Sequence, residues 1–346
     1  MFAYDSYKMV DLAPLFQETP REGYILQALD IFDKSPSDSI TVMLDRLIED
    51  NKTLLNQPKK RYSFEHDSTA RSEASSYPVE LLHLHREDQV SSADFQKAGR
   101  KPGTDRQTTM DDIVGEYVLK HAKAHRRYIE SAYADCLFRG QVQTPFTQEA
   151  PVINYATSFD APQMTGSIVL STNGTDVLQE FNAFLDQISQ ATDALWTDVK
   201  RVVVFAGADF YNSVRFHQSM KDAFAWVDPF NSQNVVYQRK ELMPNVQTFT
   251  LPGMSVDFIK VVDPLLTPYV PVNGAVMTPI FNKGVNVHQH IYGPASVDTN
   301  VALSGDVQEY FSYMYEKERG EIEIVSEASA LPVNHGTNFS LILSAN

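Results

Sequence analysis

The chain has 346 residues, 43% of them hydrophobic and 21% charged, which is the composition of a folded globular protein rather than a disordered one. Lys and Arg number 29 against 44 Asp and Glu, a formal charge of −15, which argues against affinity resting on many neutralised phosphates. Cys136 is the only cysteine, so an intrachain disulfide and a cysteine-based zinc site are excluded. The start, MFAYDSYKMVD, is interrupted by Asp5, Lys8 and Asp11 and does not read as a signal peptide. The densest apolar stretch, Val202 to Ala206, is far too short to span a bilayer. The expectation is a soluble protein of about two domains' worth of core, with no membrane contact.

The first forty residues alternate short apolar pieces (Leu12, Leu15, Phe16; Tyr24, Ile25, Leu26) with prolines at 14, 20 and 36 that block a long helix. The segment reads as an arm that lies on something else. Ile40, Val42 and Leu44 then alternate as a half-buried strand does. From about Asn51 to Gly103 the chain is polar except for the patch VELLHL at 79–84, which fits either a long hairpin or a disordered insertion.

Thr108 to Phe138 carries the clearest signal. Thr108 and Thr109 are possible caps, Asp111 and Asp112 fall in the first turn, and apolar residues recur at helical spacing from Met110 to Cys136. Arg139 and Gly140 supply a basic last turn and a C′ glycine. A helix over 108–138 is a rod of roughly 46 Å at ~1.5 Å per residue. Beyond Pro145 the pattern predicts a strand over 152–159, an amphipathic helix over 176–196, a buried strand over 201–205 and a helix from 207 to 224. A strand over 255–262, proline-rich loops (264, 268, 271, 279) and strands at 321–325 and 338–343 follow.

Chemistry is sparse. The GxxxxGK[ST], GxGxxG, GxSxG and HExxH patterns are all missing, and no carboxylates are spaced as a catalytic dyad. The pairs His83/His85, His288/His290 and His121/His125 could ligate zinc only if a carboxylate converged on them; packed or solvated histidine is the simpler reading. Lys120, Lys123, Arg126 and Arg127 are the densest basic run in this acidic chain, read either as a solvated helix face or as a contact for nucleic acid or an acidic neighbouring subunit. Asn51, Asn173 and Asn338 start sequons that carry no meaning without a secretory signal. No catalytic residue, metal site or cofactor is assigned.

The order arm, polar hairpin, very long helix, compact α/β region and returning strand resembles the tailed-phage major capsid protein of the lambda-like capsid protein E family. FQETPREGY at 16–24 resembles that family's N-terminal arm, and SITVMLD at 39–45 the strand entering its extended loop. VVVFAGADFYNSVRFHQSMKDAF (202–224) is similar to its strand-then-helix segment. ERGEIEIVSEASALPVNHGTNFSLILSAN (318–346) resembles its closing stretch, with a turn at Ser329 to Pro332. Gln233 to Leu251 departs from the pattern.

The resemblance implies an α+β chain with the Hong Kong-97-type phage capsid fold: an N-arm over 1–39, an extended E-loop and flanking strands over 40–107, and a P domain over 108–165 built on a spine helix at 108–138. An A domain over 166–300 and a return to the P domain over 301–346 complete it. It implies a non-enzymatic shell protein, assembled in the host cytoplasm and resident in the virion. Its partners are then itself in hexameric and pentameric capsomers, portal, scaffolding and decoration proteins, and double-stranded DNA bound non-specifically. On this reading Leu15, Phe16, Tyr24, Ile25 and Leu26 of the arm contact neighbouring subunits, and Lys120, Lys123, Arg126 and Arg127 face the lumen and DNA. An encapsulin-like compartment shell and a soluble α/β enzyme are the alternatives.

Overall fold

The longest apolar period in the sequence folds as one 30-residue helix, and two six-stranded sheets are arranged about it in a computed structural model, with the two-stranded pairs Thr41–Leu44/Tyr77–Glu80 and Gln141–Val142/Ile153–Asn154 beside them. The structure describes residues 10–14, 24–44, 77–98, 110–142, 151–172, 174–224, 246–317 and 321–345. The N-terminal part contains β1 (Val10–Asp11), α1 (Ile25–Leu29), β2 (Asp33–Pro36), β3 (Thr41–Leu44), β4 (Tyr77–Glu80), β5 (Leu82–Val90) and α2 (Ser92–Ala98). The long helix α3 (Met110–Arg139) leads to β6 (Gln141–Val142), β7 (Ile153–Asn154) and α4 (Tyr155–Ser158). Then come β8 (Met164–Ile168), α5 (Val177–Thr192), β9 (Val199–Ala206), α6 (Ala208–Arg215) and α7 (Gln218–Phe224). The chain continues through β10 (Thr248–Thr250), β11 (Val256–Lys260), β12 (Gly274–Phe281), β13 (His288–Tyr292) and α8 (Thr299–Ser304). It closes with β14 (Phe311–Glu316), β15 (Ile322–Asn334) and β16 (Leu341–Ala345).

The long helix follows its signals from Met110 onward; Thr108 and Thr109, expected as caps, lie outside the described residues. Asp111 and Asp112 occupy the first turn and Arg139 the last, each complementing the helix dipole, and Gly140 takes φ +64° just past the end, where a Cβ would be strained. The exposed stripe runs through Glu116, Leu119, Lys120, Lys123 and Arg127, whereas from Ala132 onward nearly every side chain is buried. Helix α5 is capped by Asp176, whose carboxylate accepts from the backbone N–H groups of Leu178 and Gln179.

The first sheet is gathered by β15, a 13-residue strand. It pairs with β14 over 322–327, with β5 over 322–330 and with β13 over 330–334. The N-terminal segment lines the outer edges, β1 antiparallel on β14 and β2 parallel on β13. The second sheet has the order β10-β11-β9-β12-β16-β8. Its central run VVVFA is buried on both faces: Val202, Val204 and Ala206 meet the α5–α7 side with Phe181, Phe184, Phe210 and Met220, while Val203 and Phe205 meet the core that contains Leu137 and Phe138 of α3. Burial on both faces is why this strand reads as a continuous apolar run instead of an alternating one.

Several expectations need correction. Residues 152–159 form only a two-residue strand before α4, because the Asn154 side chain accepts from Thr157 N–H and starts a helix. The expected helix from 207 to 224 breaks at Phe216–His217, where the His217 ring bonds Ser219 Oγ and the Thr172 carbonyl. The stretch read as proline-rich loop contains β12, a central strand. Its ladder to β16 ends at Met277, so Pro279 is paired only on the β9 side and its missing N–H breaks little. The turn expected at Ser329 to Pro332 is continuous strand, with Pro332 opposite His290 after the β5 ladder has ended at Ala330. The closing stretch 301–346 is divided between the sheets, β14 and β15 in the first and β16 in the second.

Gly207 precedes α6 at the point where β9 passes under the loop before β12. A Cβ there would lie 2.2 Å from the Pro271 carbonyl oxygen and 2.5 Å from that of Val272, both backbone atoms that cannot swing away. Gly207→Ala is therefore expected to destabilise the chain by about 3 kcal/mol, at the upper end for overpacking, as read from urea midpoints at unchanged m-value. Gly253→Ala, whose Cβ meets open space but whose φ is +75°, is expected to cost only about 1 kcal/mol.

Candidate assembly surfaces

The arm is fastened to its own chain. Glu130, buried on α3, accepts hydrogen bonds from the backbone N–H groups of Leu26 (2.7 Å) and Gln27 (3.1 Å), at the N-terminus of α1. The Gln27 side-chain amide adds bonds to Glu130 Oε2 and to the Arg126 carbonyl. One carboxylate thus satisfies donors that a short helix cannot satisfy internally. Burial pushes the Glu130 carboxyl up to about 7, against the opposing pull of those donors.

This placement corrects the reading of two arm residues. Ile25 and Leu26, expected to contact neighbouring subunits, lie inside this chain's own core, 4% and 0% exposed. The polar clamp by Glu130 and the apolar face of α3 together give them an intramolecular site that their sequence context does not reveal. Tyr24 is half-buried at the start of α1, and Leu15 and Phe16 lie outside the described residues.

The polar region after residue 40 is a hairpin at its base. Strand β3 pairs antiparallel with β4, from Thr41 opposite Glu80 to Leu44 opposite Tyr77; the intervening residues 45–76 lie outside the described residues. Leu44 and Val79 are buried while Ile40 and Met43 are exposed, so the hairpin roots one face in the core and presents the other.

The basic run on α3 does not form one patch. Lys120, Lys123 and Arg127 lie on the exposed stripe, but Arg126 is only 9% exposed, on the side of the helix that carries Ala122, Ile129 and Glu130. Helical period, not charge, decides this: residue 126 is one turn from 122 and from 130. Arg126 is therefore removed from the expected lumen-facing set. Lys120 is engaged by Glu116 at 2.7 Å, which holds its ammonium above the ordinary lysine range. Such an exposed pair contributes little to stability, but it ties one cation of the stripe to a carboxylate.

The histidine pairs lie in different settings. His121 joins three elements, its Nε2 2.6 Å from Asp88 Oδ2 on β5 and its Nδ1 2.8 Å from Ser326 Oγ on β15. Burial lowers its pKa despite the Asp88 carboxylate. His83 and His85 stack on each other on β5, and His288 and His290 are buried on β13. Among the described residues no group of three or more His, Cys, Asp or Glu is arranged to hold a metal ion, and no helix is long and apolar enough to cross a membrane.

Glu130→Ala would leave the Leu26 and Gln27 N–H groups buried without acceptors. The expected result is a loss of about 1–3 kcal/mol, with limited proteolysis cutting first within residues 24–36.

Comparison with known proteins gives the fold and the family. The structure aligns with a protein assigned as the capsid protein of a prophage of E. coli CFT073, at TM-score 0.60 and 10% identity over 98% of this chain and 100% of the other. It aligns with the cyanophage A-1(L) capsid protein at TM-score 0.54 and 11% identity, covering 99% of this chain and 94% of that one. A phage-related protein of Bordetella bronchiseptica RB50 gives TM-score 0.54 and 9% identity over 97% of both chains. No curated protein sequence matches it significantly. At such low identities the likeness shows the fold, the Hong Kong-97-type capsid fold expected from the sequence. The sequence itself matches the family described as phage major capsid protein E across residues 8–343, and the chain therefore belongs to that family of phage-head proteins.

Proposed function

We propose that copies of this chain assemble as hexameric and pentameric capsomers into an icosahedral head, in the host cytoplasm, around double-stranded DNA. The family match over residues 8–343 carries the reading, because a major capsid protein forms the phage head. The architecture supports it: a hairpin base rooted in the core, with Ile40 and Met43 exposed on its other face among the described residues, has apolar surface that a neighbouring subunit can bury. In this proposal residues 1–39 are the N-arm, 40–107 the E-loop region, 108–165 the P domain, 166–300 the A domain and 301–346 the return. Leu15, Phe16 and Tyr24 are the arm residues offered to neighbours. Portal, scaffolding and decoration proteins complete the particle, and the chain does no chemistry of its own. The encapsulin-like alternative has no family match behind it.

Lys123 and Arg127, with Lys120 partly neutralised by Glu116, are proposed to meet packaged DNA. A few exposed cations offset phosphate repulsion against an acidic wall, an effect that fades as salt rises.

Electron microscopy and sedimentation of the purified chain test the assembly reading; a stable 39.0 kDa monomer at high concentration would overturn it. Deleting residues 1–23 spares α1 and its clamp, and is expected to leave a folded chain that forms no stable shells. Changing Lys123 and Arg127 to Glu is expected to preserve empty shells while lowering the proportion of full ones, most at low salt. If both empty and full particles vanish, those side chains serve subunit contact instead.

A further inference from the structure

Residues 25–36, α1 and β2, lie across the outside of α3 and β13 and cover two buried histidines. Phe32 stacks on Tyr133 of α3 with ring centroids 4.1 Å apart and lies 5.8 Å from the ring of His288. Strand β2 sets Lys34 opposite His290 in the parallel ladder. The segment is fastened at three points: by Glu130 at Leu26 and Gln27, by Lys34 to Glu309 (2.5 Å), and by Lys283, which reaches Asp30, Asp33 and the Phe32 carbonyl.

His290 is fully buried, and neither of its ring nitrogens has a hydrogen-bond partner among the described residues. Its ring is packed edge-on against Tyr133 at 5.5 Å. The charged and titratable groups around it are Lys34 of β2, His125 and Tyr133 of α3, Tyr292 of β13 and Glu309 before β14. Glu309 is the one anion of that set, and Lys34 already holds it. His288, between Phe32 and Phe281, faces His335, Asn334, Asp33 and the Pro279 backbone, the polar groups among these easing but not offsetting the cost of burial. A proton added at either ring therefore creates a buried cation with no uncommitted anion beside it. The segment 25–36 also buries Ile25, Leu26, Leu29, Ile31 and Phe32, yet it is the layer that can lift to admit water, because β2 is an edge strand paired among the described residues with β13 alone, whereas β13 is held by β15 as well.

We propose that α1–β2 is a proton-gated strap, held closed while His288 and His290 are neutral and released when they gain protons.

The direction and size follow from linkage. Burial holds both imidazoles down to about 4 in the closed state, against an ordinary histidine value of about 6.5 once released. Closure is thus unopposed above that ordinary value and weakens as pH falls towards 4, each histidine favouring opening about tenfold per pH unit. His125, held at about 3 and packed on Tyr310, stays neutral through most of this range. Glu130 acts the other way. Its carboxyl titrates near 7 in the closed state and in the ordinary carboxyl range when released, so falling pH favours closure through it and cancels one histidine. The net is about tenfold more opening per pH unit between 6.5 and 4.5.

Peptide-resolved hydrogen exchange of the full chain, corrected for intrinsic rates, tests this. In the wild type the amides of 25–36 are expected to open about tenfold more per unit of falling pH, with β9 and β12 unchanged. Glu130→Gln, which keeps an acceptor but removes the titration, is expected to steepen the slope to about a hundredfold per unit, and His290→Phe to flatten it. A flat wild-type profile, a slope untouched by Glu130→Gln, or β9 and β12 opening in step with the strap would each overturn the proposal. If His290→Phe does not fold, the wild-type and Glu130→Gln profiles decide it.

Discussion

The C-terminal half of α3 is buried from both sides, and both sheets take their positions from it. Leu137 and Phe138 belong to the core that also contains Val203 and Phe205 of the second sheet and Leu331 and Val333 of the first. A helix that ended one or two turns earlier would leave these faces without a common partner. The N-terminal half of the same helix is amphipathic in the ordinary way, resting Val114 and Val118 on Val90 and Ile324 while carrying its charges outward. One rod therefore does two jobs along its length: it holds the sheets together at one end and offers a surface at the other.

That division explains what the sequence could and could not show. The course of α3 was readable because first-turn carboxylates, the basic last turn and Gly140 agree with the apolar period, so local and global signals point the same way. The buried run at β9 was readable because both faces want apolar residues. Strand β12 was not, since Pro279 breaks the local rule and only the early end of the β16 ladder makes it harmless. Arg126 was misplaced because a run of cations looks like one surface in sequence, whereas a helix turns it by 100° per residue and sends one of four inward.

The arm shows the same limit more sharply. Ile25 and Leu26 sit in a segment with too little apolar content to form a core, so their destination had to lie outside it. Nothing local distinguishes another subunit from a carboxylate one hundred residues further along the same chain. The partner, Glu130, is equally opaque, being one acid among many until the fold removes it from water. Long-range polar clamps of this kind leave no trace in periodicity or spacing.

Strand β16 follows every other described strand in chain order, yet it sits inside its sheet, between β12 and β8. Until β16 is in place the second sheet therefore has a gap between β12 and β8, and β8, which pairs with nothing else among the described residues, is without a neighbour. A chain truncated by even a few residues before β16 exposes two unpaired edges in one sheet. Adding β16 is thus the condition for closing the second sheet, and a cut ahead of Leu341 is felt at β12 and β8 together.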